Sequence, residues 1–420
     1  MTKLALLGAN PVRKTPFPEY RSIGSEEKLA AMEVLDSGVL SRFLGTWSPD
    51  FYGGPRVQAL ERAWESHFGI RHAVSVNSAT SGLYAAIGAT GIGPGDEVIV
   101  SPYTMSASAT AALVYGAIPV FADIDPDTFC ISAETIRQRI SSRTKAVIVV
   151  DIFGHPADMD PIMALAEEFG LIVIEDTAQA PGATYKGRFA GTLAHIGVFS
   201  LNYHKTIQCG EGGVVVTNDN NLADRLQLIR NHAEAVVAKK GTGDIVNLVG
   251  FNYRMTEIEA AIAAEQLKKL PRLVAPRQEA AAYYDRRLGY LPGLSVPRVT
   301  ANATHGYYFY TMKYDASVTG VPRQRFIDAV QAEGVPLSAG YVEPLYLQPL
   351  YQQRTAFGNK GFPFAGSEIG YPRGLCPVTE RMHFEQVVLT PLVHSALSKD
   401  DLRDVADAIE KVLLNIHSLA

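Results

Sequence analysis

Three short stretches of this chain carry residue types that could act together on one aromatic ring. Ile174-Glu-Asp-Thr-Ala-Gln179 places an acid at the end of an apolar run, and Phe199-Ser-Leu-Asn-Tyr-His-Lys205 brings a lysine just after the next run. Gly210-Glu-Gly-Gly213 follows as a glycine-rich turn. Asp176 could hold a proton on a pyridine nitrogen and so make the ring an electron sink, while Lys205 supplies the amine for a Schiff base. The glycines would allow backbone to pass close to such a ring. Each feature also has a plainer reading: Asp176 as a strand-end helix cap, Lys205 as a surface charge, the glycines as a hairpin turn.

A second group is Val76-Asn-Ser-Ala-Thr-Ser-Gly82, between a strand pattern and a helical pattern over Leu83–Ala89. Small and hydroxyl residues at a helix start present free backbone N–H groups and the positive end of the helix dipole, a common way to hold phosphate. The alternative is an ordinary N-cap made by Ser78 or Thr80. Both groups occurring together favours the ligand reading.

The elements that must position these residues alternate. Between about residues 55 and 270, short β-rich apolar runs exchange with helical patterns, which predicts an α/β domain around a mainly parallel, buried sheet. The expected strands are Ala73–Asn77, Glu97–Ser101, Ile118–Ala122, Ala146–Asp151, Leu171–Asp176, Val198–Leu201 and Gly213–Thr217. Several end in a polar residue (Asn77, Ser101, Asp151, Asp176), and in open parallel sheets ligands gather at the carboxyl ends of strands. After residue 270 the texture changes to a long helical stretch, Leu267–Arg287, then shorter elements including Tyr307–Tyr314 and a final amphipathic helix Lys399–Ile416. The expected division is an N-terminal arm over 1–54, packing on the small domain and a partner subunit, a large domain over 55–270 and a small α+β domain over 271–420.

Bulk properties exclude other classes. The chain has 420 residues, 47% hydrophobic and 19% charged, with no apolar run of the ~18 residues that suggest a membrane span. Its start lacks a cleavage-type end, which argues against a secretory signal. A formal charge of −5 with no basic block leaves no footprint for nucleic acid or an anionic membrane. The three cysteines, Cys130, Cys209 and Cys376, are far apart and without metal-type spacing, which points to a reducing cytoplasm and no metal site.

Taken in order, the motifs resemble the DegT/DnrJ/EryC1/StrS family of fold-type-I, pyridoxal-phosphate (PLP)-dependent sugar aminotransferases. The resemblance covers nearly the whole chain. It rests on Pro94-Gly-Asp-Glu-Val98, Phe153-Gly-His-Pro-Ala-Asp-Met-Asp160, Glu175-Asp-Thr-Ala-Gln179, Lys205 with Gly210-Glu-Gly-Gly213, and Gly250-Phe-Asn-Tyr-Arg-Met255. It implies a large PLP-binding domain with a mainly parallel seven-stranded sheet and a smaller α+β C-terminal domain. It makes Lys205 the Schiff-base lysine and Asp176 the partner of the pyridine nitrogen, with pyridoxamine phosphate as the alternate cofactor form. Gln179 would contact the ring hydroxyl, Ser200 the phosphate beside Ala79 and Thr80. A homodimer with a shared site is implied too, Asn252 of the partner subunit reaching the phosphate, although Asn252 also reads as a loop-capping amide.

One position departs from the family. Where an aromatic residue usually stacks on the cofactor ring, Pro102-Tyr-Thr-Met105 offers Met105, whose thioether can still pack on a ring, with Tyr103 as a substitute. His204 precedes Lys205. Relatives with histidine in place of the lysine are dehydratases, and the spacing here assigns Lys205 the reactive position. Tyr203, His204, His155 and His305 are candidate substrate contacts, and His232 lies in a similar segment; each histidine also reads as a satisfied surface or core residue.

The resemblance implies transfer of an amino group from glutamate or glutamine to a keto-sugar, first of all a nucleotide-linked one. Leu4–Arg13 and Cys376–Glu380 are similar to segments of members acting on inosose-type cyclitols, which keeps a cyclitol ketone open. A dehydratase using pyridoxamine phosphate and a non-catalytic regulatory protein on the same fold are the remaining alternatives.

Overall fold

A computed structural model describes residues 3–419. Seven strands form the central sheet: β1 (His72–Val76), β2 (Glu97–Val100), β3 (Ile118–Phe121), β4 (Thr144–Val150), β5 (Ile172–Asp176), β6 (Ile196–Ser200) and β7 (Gly213–Thr217). Their order is β1-β7-β6-β5-β4-β2-β3. Only β7 runs antiparallel, opposing both β1 and β6. The strands are short runs of valine and isoleucine buried on both faces, as a sheet covered by helices requires.

Each expected strand is present with ends within two residues. Register brings their polar ends together: Ser200 and Val76 both lie opposite Gly213, and Val150 lies opposite Asp176. One edge of the sheet therefore carries the carboxyl ends of β1, β2, β4, β5 and β6.

Helices α1 (Ser25–Ser37), α2 (Pro55–Phe68), α3 (Ala79–Ala89) and α4 (Ser106–Val114) precede the long α5 (Glu257–Leu288). The Thr256 side chain caps α5 in a reciprocal box with Glu259. The helix thus begins before the expected Leu267, and it runs through Pro271 and Pro276. Residue 270 falls inside α5, so no linker separates the two domains there.

A second, antiparallel sheet is built from β8 (Leu294–Ser295), β9 (Tyr310–Tyr314), β10 (Ser338–Ala339) and β11 (Val387–Thr390) in the order β8-β9-β11-β10. With α6 (Arg323–Ala332) and α7 (Lys399–Leu414) it encloses its own core of Tyr284, Tyr310, Phe326, Val405 and Ile409. The N-terminal arm docks on this core: Leu4 is buried in it, and Glu333 accepts hydrogen bonds from Ala5 N and Val12 N at 2.8 and 3.1 Å.

The division at 271–420 needs one correction. Leu345, Tyr346, Tyr351, Phe364, Tyr371, Cys376 and Met382 belong to the large core, not the small one. They cover β3, the edge strand: the Phe121 ring meets those of Tyr346, Tyr351 and Tyr371, and Tyr371 OH donates to Pro119 O at 2.8 Å. An exposed apolar edge is thereby closed by a return of the chain. No helix among the described residues is long and apolar enough to cross a membrane.

Candidate active site

A cleft opens at the carboxyl edge of the sheet. Ala79, Thr80, Met105, Asp176, Gln179, Ser200, His204 and Lys205 line it together with Asn202 and Glu211. The two groups of residues that the sequence keeps apart thus meet in one place.

Asp176 is the last residue of β5 and is buried. Its Oδ2 accepts from Ser108 Oγ at 2.8 Å and its Oδ1 from Ala178 N at 3.2 Å. Burial pushes its pKa up, while these donors and the nearby Lys205 charge oppose the rise. Lys205 is 9% exposed, and its ammonium makes no hydrogen bond or ion pair among the described residues; its Nζ lies 4.7 Å from the centre of the Tyr308 ring. Burial lowers its pKa from 10.5 to about 8, with Asp176 pulling the other way. About a tenth of it is then neutral at pH 7, far more than for an exposed lysine, which makes it a usable nucleophile and base.

Opposite, Ser78 caps α3 by accepting from Ser81 N at 3.0 Å. The N-cap reading is therefore correct, and it is compatible with an anion site, because the N–H groups of Ala79 and Thr80 in the first turn have no acceptor within the helix. Gly213 is what permits the close approach: a Cβ there would sit 2.7 Å from Ala79 N. Ser200 Oγ accepts from Asn202 N at 3.3 Å, and Asn202 Nδ2 donates to both oxygens of Glu211 at 2.8 and 2.9 Å. The buried Asn202 Oδ1 has no partner.

The small domain closes the cleft. Gln179 accepts from Phe153 N at 2.8 Å and donates to Tyr341 OH at 3.0 Å. Phe153 O in turn accepts from Tyr308 N at 2.8 Å, and Gly154 O from Gly306 N at 2.7 Å. Gly154 has φ +104°, and a Cβ on it would lie 2.7 Å from Tyr307 N, so this crossing requires glycine.

Other candidates are placed as follows. Met105 lines the cleft at the N-cap of α4 and is 55% exposed, its sulfur accepting from Ala107 N at 3.3 Å; Tyr103 is fully buried behind it, against Phe153 and Tyr341, and does not reach the cleft. His155 and His305, expected on the substrate side, are instead buried ring partners 5.5 Å apart. His155 bonds Pro156 O and Thr300 N, and His305 accepts from Tyr307 N. Burial depresses both pKa values, and both rings are engaged in hydrogen bonds with backbone groups rather than facing the cleft. Tyr203 is 71% exposed and does not line the cleft, and His232 precedes a short helical turn with no capping bond from its side chain. Asn252 is exposed, outside the cleft of its own chain, with Oδ1 accepting from Arg254 Nε at 2.7 Å. Among the described residues no group of histidine, cysteine and acidic side chains could hold a metal, and the three cysteines are buried and free.

Ser108, Tyr308 and Tyr341 carry site contacts that sequence reasoning missed. Ser108 meets Asp176 from 68 residues away and Tyr341 meets Gln179 from 162 away. Nothing local signals either. The donor set fits a phosphorylated pyridine aldehyde: an amine for its carbonyl, a buried carboxylate for its ring nitrogen and free N–H groups for its phosphate.

Comparison with known proteins agrees. Residues 44–410 match the model of the DegT/DnrJ/EryC1/StrS aminotransferase family. The chain is 34% identical to the spore coat polysaccharide biosynthesis protein SpsC of Bacillus subtilis, over 93% of this chain and 95% of that one. It is 35% identical to the L-glutamine:2-deoxy-scyllo-inosose aminotransferase of Streptomyces fradiae over the full length of both. With GDP-perosamine synthase of Caulobacter vibrioides it shares 37% identity over 71% of this chain and 79% of that one. The solved aminotransferase from Psychrobacter cryohalolentis superimposes with a TM-score of 0.82 at 32% identity, over 96% of this chain and 100% of that one. The expected fold-type-I architecture, large sheet domain and smaller C-terminal sheet, is therefore borne out. With its motifs, its fold and its cleft in agreement, this chain belongs to the DegT/DnrJ/EryC1/StrS aminotransferase family.

Proposed function

We propose that the chain is a PLP-dependent aminotransferase of amino-sugar biosynthesis, moving an amino group from glutamate or glutamine to a nucleotide-linked keto-sugar. The observation that carries this reading is Lys205: a buried amine without a hydrogen-bond partner, in one cleft with Asp176 and the open start of α3. When bound, the cofactor supplies the carbonyl that takes up the amino group and the ring that delocalises the resulting electron pair. Lys205 would hold the cofactor through its Nζ, and that Nζ, when free and neutral, would take the proton from the donor α-carbon and return it as general acid. Asp176, held by Ser108 and Ala178, keeps a proton on the ring nitrogen. Ala79 and Thr80 N–H with Ser200 would hold the phosphate, Gln179 would take the ring hydroxyl, and Met105 would pack on the ring. His204 is the candidate that faces the acceptor from within the cleft.

A shared site in a homodimer, with Asn252 of the partner subunit at the phosphate, is part of this reading. Leu29, Met32 and Leu35 support it, since they leave the outer face of α1 apolar and more than half exposed.

The experiment is a half-reaction: add single amino acids to the PLP-loaded protein and follow the visible band as the pyridoxamine form appears. Glutamate or glutamine should convert it. Retention of the band with every donor, despite full loading of Lys205, would refute the assignment. A second acceptor class, an inosose-type cyclitol ketone, is favoured by the full-length similarity to the inosose aminotransferase. Keto-sugars and inososes offered to the pyridoxamine form distinguish the two.

A further inference from the structure

Behind the strand end that carries Asp176 lie two carboxyl groups that this chemistry leaves unused. Asp151 directly follows β4 and Glu175 precedes Asp176 in β5; both are fully buried. The strands are hydrogen-bonded neighbours, with Val149 opposite Glu175, and Asp151 N donates to Asp176 O at 3.1 Å. The two carboxyl groups are within hydrogen-bond reach of each other, and no cation is among the groups acting most strongly on them: those are backbone N–H groups, a hydroxyl and each other. Ala157 N donates to Asp151 Oδ1 at 3.0 Å, Thr177 Oγ1 to Oδ2 at 2.5 Å, and Leu193 N to Glu175 Oε2 at 2.9 Å. Glu175 Oε1 has no donor.

Two adjacent buried carboxylates with no counter-ion, one oxygen of four left bare, is an arrangement that proteins avoid. One added proton resolves both faults. We propose that Asp151 and Glu175 share a single proton, carried by Asp151 and donated to Glu175 Oε1, and that the pair positions Asp176 at the floor of the cleft. Glu175 is the ionised member because backbone N–H groups of the 191–194 turn face it. Asp151 then grips β5 on both sides of Asp176: through Glu175 before it, through the Thr177 hydroxyl after it, and through its own N–H on the Asp176 carbonyl. One charge in place of two also limits the field that would otherwise drive a proton onto Asp176. The positioning half rests on the role of Asp176 proposed above; the shared proton does not.

The test begins with infrared spectra of cofactor-free protein at neutral pH. The difference between wild type and Asp151→Asn should contain a protonated-carboxyl stretch that shifts on deuterium exchange, and Asp176→Asn should retain it. Absence of the band in wild type, or its persistence in Asp151→Asn, overturns the shared proton. Positioning is read from PLP affinity. Asp151→Asn keeps a donor toward Glu175 and should bind within about threefold of wild type, whereas Asp151→Ala should bind about tenfold more weakly, the scale of one lost buried hydrogen bond. Thr177→Val, with a single hydroxyl removed, should weaken binding about fivefold and carries the test if Asp151→Ala does not fold. Wild-type affinity in folded Asp151→Ala or Thr177→Val overturns the positioning role. Unchanged binding in Asp176→Asn would count against the proposed function and not against the proton.

Discussion

Replacing Lys205 by methionine should make the cofactor-free protein more stable, and by an amount that depends on pH. The lysine is buried with no counter-ion in contact, and its pKa falls from 10.5 to about 8 on folding. At about 1.4 kcal/mol per unit, holding the ammonium in the folded chain costs about 3 kcal/mol at pH 7. The unfolded chain binds the proton more tightly, so wild-type stability rises with pH between about 8 and 10.5. The methionine variant carries no such charge and shows no such rise from this position. Its advantage should therefore be about 3 kcal/mol at pH 7, shrink to about 2 kcal/mol at pH 9 and vanish above the unfolded pKa. The assay is urea denaturation of both proteins, stripped of PLP, at the two pH values. An advantage that is absent at pH 7, or equal at both, would refute the claim that a strained amine is stored in this site.

Ser108→Ala removes the hydroxyl that donates to Asp176, and PLP binding followed by the visible band should weaken about tenfold, from about 1–1.5 kcal/mol of lost charge-assisted bonding. Met105→Tyr supplies the ring that this site lacks and should tighten PLP by about three- to tenfold in the same titration. Gly213→Ala forces a Cβ against Ala79 N and should cost about 1–3 kcal/mol, seen as a lower thermal midpoint together with weaker PLP binding. The proposed shared-site dimer predicts that Lys205→Ala and Asn252→Ala, each expected to be inactive alone, restore activity when mixed, because a hybrid of the two would carry one intact site; no recovery after subunit exchange would place Asn252 outside the site.

Parts of this molecule declare themselves locally and parts do not. Most sheet strands are short apolar runs rich in valine and isoleucine and bounded by polar residues or glycine, so their positions and ends can be read to within two residues. The start of α5 lies ten residues before the expected Leu267: its first turn is set by the Thr256–Glu259 capping box, a short polar signal that lies ahead of the expected stretch. Lys205, Asp176 and the Ala79–Thr80 start of α3 are legible because their chemistry demands particular side chains next to particular backbone shapes. Ser108, Tyr308 and Tyr341 are ordinary residues brought against the candidate site by contacts across the fold, which no window of sequence contains. His155 and His305 mislead in the opposite sense: a residue capable of catalysis, within a shared motif, is used to join two loops.

The return of residues 345–382 onto β3 has a consequence for how the chain is made. During synthesis the first 270 residues emerge with every strand of the central sheet present, but Phe121 and the rim of β3 stay bare until Tyr346, Tyr351 and Tyr371 have left the ribosome. For that interval the nascent chain presents the open outer edge of an apolar strand, paired only with β2, to its neighbours, a template for pairing between chains on one message. Truncation at residue 270 would make the interval permanent, and the fragment should accumulate as aggregate where the full chain folds.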